Sequence, residues 1–314
     1  MKRLLAISFF LLFFWTFSAA QGDNHALIIA ISSYPEGSGW RNINCSKDVE
    51  LISSTLLANG FQKENITILE DSRATKINIV SALCAMEKNC RPGDSVFIHF
   101  SCHGQQITDI NGDEDDGLDE ALIPYDAAKT TDRGYLGENH LTDDELNFLL
   151  SRIRSRIGND GVILVLSDAC HSGNNTRDDE DLQQGLRGTK DIFEVTSKAK
   201  SRLRTILKKH SLERGDGLSA SYSKASNKAV GSIDWVPVSA CSPDKSNYEV
   251  IGDGFRCGRL SYAFSRCFHK GMTVSELVSA LQEQYRAIPF RAYGPRPVPF
   301  TDDIPEQLTN IQLF

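Results

Sequence analysis

After its first twenty residues the chain has no apolar run long enough to cross a bilayer, which excludes a membrane-spanning protein once that segment is removed. It also has no basic excess. Its 34 lysines and arginines stand against 41 aspartates and glutamates, for a formal net charge of −7. Without a positive field to neutralise phosphates, nucleic acid is not an expected partner, and basic peptides or cations suit the charge better. No internal repeat or low-complexity segment is present, so the residues must be organised as an ordinary packed fold.

The opening segment is different from the rest. Lys2-Arg3 supply a positive start, Leu4 to Phe17 an apolar run, and Ser18-Ala19-Ala20 a small-residue cleavage site before Gln21. The run is short for a membrane span, and no cysteine at the cleavage site offers a lipid anchor. A signal peptide over residues 1–20 and an exported, periplasmic or extracellular mature chain are therefore expected. Loss of Lys2 and Arg3 would take the net charge to −9. Eight cysteines would ordinarily suggest disulfides in an exported protein. Cys84 with Cys90 and Cys257 with Cys267 are near enough in sequence to pair, although sequence does not give connectivity.

Two strand-like apolar runs each end on a reactive side chain. Ser95-Val-Phe-Ile-His-Phe100 leads into Ser101-Cys102-His103-Gly104, and Val162-Ile-Leu-Val-Leu166 leads into Ser167-Asp168-Ala169-Cys170. Runs apolar at every position suit strands buried on both faces of a parallel sheet. In such sheets the working crevice lies beyond the strands' carboxyl ends, where His103 and Cys170 fall. A thiol beside an imidazole is a nucleophile and base for acyl transfer. An isolated cysteine is more often structural, but this pairing points to a cysteine hydrolase. His171 is too close in sequence to turn back on the thiol.

Phe-Ser-Cys-His-Gly, then Asp113-Glu-Asp-Asp-Gly-Leu-Asp-Glu-Ala-Leu-Ile-Pro-Tyr-Asp126, then Ser-Asp-Ala-Cys-His-Ser-Gly closely resemble the metacaspases, caspase-like peptidases. Asn44-Cys45-Ser-Lys-Asp48, Leu141-Thr-Asp143-Asp144-Glu145 and Ser239-Ala-Cys-Ser-Pro-Asp244 resemble further segments of that family, so the likeness runs from about His25 to about Gly271. The usual Ser-Gly-His-Gly reads Ser101-Cys102-His103-Gly104 here, and the Gln-Ala-Cys of animal caspases reads Asp168-Ala169-Cys170.

The resemblance implies several roles. The amides of Gly104 and Cys170 would form an oxyanion hole. Cys45, Asp48, Ser101 and Asp168 would line a pocket for the side chain before the scissile bond. Two carboxylates in a cleft select Arg or Lys through charged hydrogen bonds, and no arginine set for selecting aspartate is apparent. Taken singly, Asp48 also reads as a first-turn helix acid and Asp168 as a turn aspartate. Asp119, Asp143, Asp144 and, after a one-residue shift, Asp178 match calcium ligands of the family, with the cation ordering loops rather than joining the chemistry. Asp109-Ile-Asn111-Gly-Asp113-Glu-Asp115 alternates oxygen ligands, but the glycine an EF-hand needs at its sixth position is Glu114.

Strands alternate with helices along the chain, predicting an α/β fold: a caspase-like three-layer α/β/α sandwich with a mostly parallel central sheet. The spacing predicts helices over 46–58, 76–88 and from the capping boxes at Thr142 and Thr273, with an amphipathic helix through Val195, Leu203 and Leu207. Residues 21–288 would form the peptidase domain, 174–232 a polar inserted loop open to self-cleavage at Arg187, Lys198 or Lys200, and 289–314 a surface tail. The reading is a monomeric, calcium-assisted cysteine endopeptidase cleaving polypeptides after Arg or Lys. Two rivals are a silent module that captures basic peptides and an enzyme of the same fold similar to legumain or arginine-specific bacterial proteases.

Overall fold

Alternate residues of the apolar strands face opposite sides, and both sides are buried. A computed structural model of the chain describes residues 22–170, 185–220, 234–242, 245–252, 254–289 and 298–314. Strand β1 (Asn24–Ala30) is followed by helix α1 (Ser46–Ala58), β2 (Ile66–Glu70), α2 (Lys76–Asn89) and β3 (Ser95–Ser101). Strands β4 (Gly104–Thr108), β5 (Leu118–Leu122) and β6 (Leu141–Thr142) precede α3 (Asp143–Ile157) and β7 (Ile163–Asp168). Then come α4 (Ser197–Arg214), β8 (Val236–Ser239), β9 (Val250–Gly252), β10 (Phe255–Cys257), α5 (Arg259–Cys267) and α6 (Val274–Ala287).

The central sheet has the order β2-β1-β3-β7-β8, every neighbouring pair parallel. Leu27 and Ile29 of β1 face a core shared with α2, α3 and α4, while Ala26 and Ile28 face a second core shared with α1, α5 and α6. That is the three-layer α/β/α sandwich expected. Both capping boxes form: Thr142 and Thr273 accept from the backbone of Glu145 and Glu276, whose side chains accept in return. Gly60, at φ +94°, ends α1 in the left-handed region open to glycine.

The acidic stretch after His103 carries β4, β5 and β6, an antiparallel sheet beside the main one that the sequence did not show. One expectation needs correcting. The end of the chain is not a surface tail. Leu313 and Phe314 are buried, and Phe314 meets Phe61, Phe97 and Phe268 edge-on across the second core. Cys84, Cys90, Cys257 and Cys267 are unbridged, so neither of the two pairings that the spacing allowed is formed. Residues 1–20, His171 and Asp178 lie outside the described residues. Among the described residues no helix is long and apolar enough to cross a membrane.

Candidate active site

Register sets the centre of the site. Ser101 of β3 pairs with Asp168 of β7, so His103 and Cys170 each stand two residues past one matched pair on adjacent parallel strands. Both are buried. The His103 ring stacks on Trp40 at 4.8 Å and tilts against Tyr34 at 5.2 Å between centroids. His103 Nε2 lies 2.8 Å from the Arg41 carbonyl, which accepts only if that nitrogen carries the proton. The other nitrogen, Nδ1, is therefore the basic one, and it is buried without a hydrogen-bond partner among the described residues. Burial lowers the His103 pKa to about 4, against the opposing pull of the Arg41 carbonyl, so the ring is neutral at pH 7.

The four pocket residues converge, and a side chain already fills the space between them. Arg187 is fully buried, with its guanidinium in the cluster. Nη2 lies 2.8 Å from Asp48 Oδ2 and donates to the Asn44 carbonyl at 2.7 Å, with Glu249 Oε1 at 3.4 Å. Nη1 donates to Ser101 Oγ at 2.6 Å and to the Asp168 carbonyl at 3.4 Å. The Asp168 carboxylate behaves differently from expectation. Its oxygens accept from Asn247 Nδ2 and from the amide and hydroxyl of Ser261, so it reaches Arg187 only through charge. Cys45 bonds the Ile31 carbonyl and lines the cluster without bonding the guanidinium. Burial pushes Asp48 up to about 6, with Arg187 pulling the other way. For Asp168 burial is outweighed by Arg187 and by its hydrogen bonds, which hold it below the usual range. Burial disfavours the charge on Arg187, yet Asp48 and its neighbours more than compensate and keep it protonated.

Glu249 belongs to this buried cluster and was not legible in the sequence. Its carboxylate also accepts from the amide and side chain of Asn44. No motif surrounds it, and its role depends on a pairing between distant segments. The Arg187 amide donates to the Asn247 carbonyl at 3.0 Å and the Glu249 amide to the Gly185 carbonyl at 2.9 Å. Residues 185–187 thus run antiparallel to 247–249, with Leu186 opposite Tyr248. The Arg187 carbonyl accepts from the Cys170 amide at 2.8 Å. Cys170 Sγ donates to the Lys245 carbonyl at 2.7 Å. The Ile123 amide bonds the His103 carbonyl, so alternation along the ladder turns the Gly104 amide away from β5.

A second cluster gathers carboxylates around β5 and the start of α3. Side-chain oxygens of Asp109, Asp113 and Asp119 lie within 4.8 Å of one another. Burial, then Asp143 and Asp144, lift Asp119 to about 8; burial, then Asp144, lifts Asp143 to about 8; burial, then Asp113, lifts Asp144 to about 7. One oxygen each of Asp119 and Asp143 is buried with no hydrogen bond among the described residues. Crowded carboxyls that hold protons at neutral pH because no charge offsets their mutual repulsion, with two oxygens left unpartnered among the described residues, fit a hard cation such as calcium, which would displace those protons. Asp109 and Asp113 join three of the expected residues here.

Comparison with known proteins gives the family. A family model described as "Metacaspase, peptidase C14 domain" matches residues 24–177. The chain is 36% identical over 167 residues to Metacaspase-1A of Aspergillus oryzae, covering 51% of this chain but only 36% of that relative. It is 30% identical over 279 residues to Metacaspase-1 of Ajellomyces capsulatus, covering 81% of this chain and 73% of the relative. A solved structure of a Geobacter sulfurreducens protein superposes with a TM-score of 0.57 over 92% of this chain and 97% of that one, at 21% identity, a likeness of fold alone. On the Ajellomyces match above all, the chain belongs to the metacaspase family.

Proposed function

We propose that the chain is a cysteine endopeptidase that cleaves after arginine, and after lysine less well, and that its own Arg187–Gly188 bond is a substrate. The observation that carries this reading is Arg187 itself. Its side chain fills the acidic pocket while its carbonyl rests on the Cys170 amide, as the residue before a scissile bond would. In this reading His103 Nδ1 takes the Cys170 thiol proton and the thiolate attacks the Arg187 carbonyl carbon. The Cys170 and Gly104 amides stabilise the oxyanion. His103 then gives the proton to the Gly188 nitrogen, which leaves as an amine. Water, deprotonated by His103, hydrolyses the remaining thioester. The thiol must first turn from the Lys245 carbonyl.

Asp48, Ser101, Glu249 and the Asn44 and Asp168 carbonyls receive the guanidinium, and Asp168 adds its charge. Lysine would meet fewer of these acceptors, since an ammonium is a point and not a planar fork. Asp109, Asp113, Asp119, Asp143 and Asp144, joined by Asp178, would hold calcium. The ion would neutralise the cluster and order the segment between β4 and β5, which lies in sequence between the strand that leads to His103 and the strand that leads to Cys170. Export through residues 1–20 remains part of the proposal, and an extracellular calcium level suits such a site.

The test uses the purified chain and matched quenched peptides with Arg, Lys or Asp before a glycine, in calcium or in excess chelator. Arg should be cut fastest, Lys more slowly, and Asp hardly at all, with activity requiring calcium. Efficient cleavage after Asp would overturn the pocket assignment. Full activity in chelator would overturn the calcium assignment.

A further inference from the structure

We propose that the site strongly favours glycine immediately after the scissile bond, so that its best substrates are peptides containing Arg-Gly. The inference rests on the peptidase reading above and narrows its substrate class. It comes from the surroundings of Gly188. A Cβ built on Gly188 would collide with the Cys170 carbonyl oxygen, lie 2.8 Å from its carbonyl carbon, and sit 3.2 Å from the Cys170 Cβ. The obstacle is backbone, which has no rotamer by which to step aside.

Conformation does not explain the glycine. Gly188 is absent from the positive-φ residues, whereas Gly185 has φ +85°. Only crowding demands a missing side chain at 188. The obstacle is also the nucleophile's own main chain. The amide of Cys170 holds the Arg187 carbonyl, so a retreat of the Cys170 backbone would disturb the oxyanion contact.

The docked segment cannot slide to make room either. On one side the Arg187 guanidinium and the Gly185 and Arg187 backbone bonds fix its register. On the other, Gln105 Nε2 donates to the Asp191 carbonyl at 2.9 Å, Lys129 pairs with Asp191 at 2.8 Å, and the Phe193 amide bonds the Gln106 carbonyl at 2.8 Å. The scissile bond is pinned between two anchored stretches. A side chain at the second residue must therefore overpack a backbone contact or pull the carbonyl from its donor.

The experiment is a panel of quenched peptides, Gly-Leu-Arg-Xaa-Thr with Xaa as Gly, Ala, Ser or Val, given to the full chain in calcium. Alongside it, mass spectrometry follows self-cleavage in Gly188→Ala and Gly188→Val. A Gly-Leu-Arg chloromethyl ketone, which carries no residue after arginine, should label Cys170 in every folded variant. The expected fall in kcat/KM from Gly is about tenfold for Ala and about a hundredfold for Val. Self-cleavage at 187 should slow by the same factors in Gly188→Ala and Gly188→Val, while the ketone still labels both after displacing the segment. Equal cleavage of all four peptides would overturn the glycine preference and leave the peptidase reading standing. Cleavage of none would overturn the peptidase reading itself, and this inference with it.

Discussion

At the residue scale, a neutral imidazole and a thiol stand past the ends of adjacent strands, and acids surround a guanidinium. Cys170→Ala and His103→Ala should each abolish peptide cleavage while leaving circular dichroism unchanged; a tenth of wild-type turnover in Cys170→Ala would remove it as nucleophile. Glu249→Gln tests the pocket. Charged hydrogen bonds contribute about 1.5–3 kcal/mol each, so kcat/KM for Arg peptides should fall roughly tenfold to a hundredfold. Lys peptides should lose less, and alkylation of Cys170 by a small neutral reagent should be unaffected. Equal losses on Arg and Lys peptides would make Glu249 a mere support for Asn44. His103, Cys170, Asp48, Ser101 and Asp168 could be picked out in the sequence because each sits in a local motif at a strand end or helix start. Glu249 and Asn247 could not, since only the pairing with 185–187 brings them to the site. The Asp168 carboxylate was misjudged because its partners, Asn247 and Ser261, lie far downstream.

At the element scale, α3 begins on Asp143 and Asp144 with a capping box, so two acids at the helix start serve both the helix dipole and the carboxylate cluster. Asp143→Ala and Asp144→Ala should raise the calcium needed for half-maximal activity several-fold and leave the Arg preference intact. Calorimetric titration should show the same weakening of calcium binding; unchanged binding would remove both residues from the site. Strands of the central sheet were legible because burial on both faces makes short runs apolar at every position, and the helices at 46–58 and 76–89 because one buried face imposes a period of 3.6. The sheet of β4 to β6 was not, because turn residues and acids interrupt its short strands. Helix α5 was missed as well: at nine residues it begins on Arg259, directly after Gly258, without a side-chain cap.

At the scale of the whole molecule, three histidines among the described residues are buried and neutral. Burial lowers His99 and His103 to about 4 and His140 to about 3. Unfolded, each titrates near about 6.5, so between these values the unfolded chain binds more protons than the folded one. Stability is then full above about pH 6.5 and is lost as pH falls toward 4, by up to roughly 3 kcal/mol for each histidine. Melting followed from pH 7.5 to 4.5 in saturating calcium should show this decline, less steeply in His140→Asn. A flat profile would contradict it. The layering follows from the apolar runs, whereas the strand order and the docking of residues 185–189 across the site depend on contacts far apart in sequence.

That docking is the core of the account, and mass spectrometry of the full chain after calcium addition, beside Cys170→Ala, tests it most directly. The wild type should be cut between Arg187 and Gly188, and Cys170→Ala should stay whole. If the wild type digests Arg-Gly peptides while its own 187–188 bond survives, Arg187 is not held as a substrate and the account is wrong.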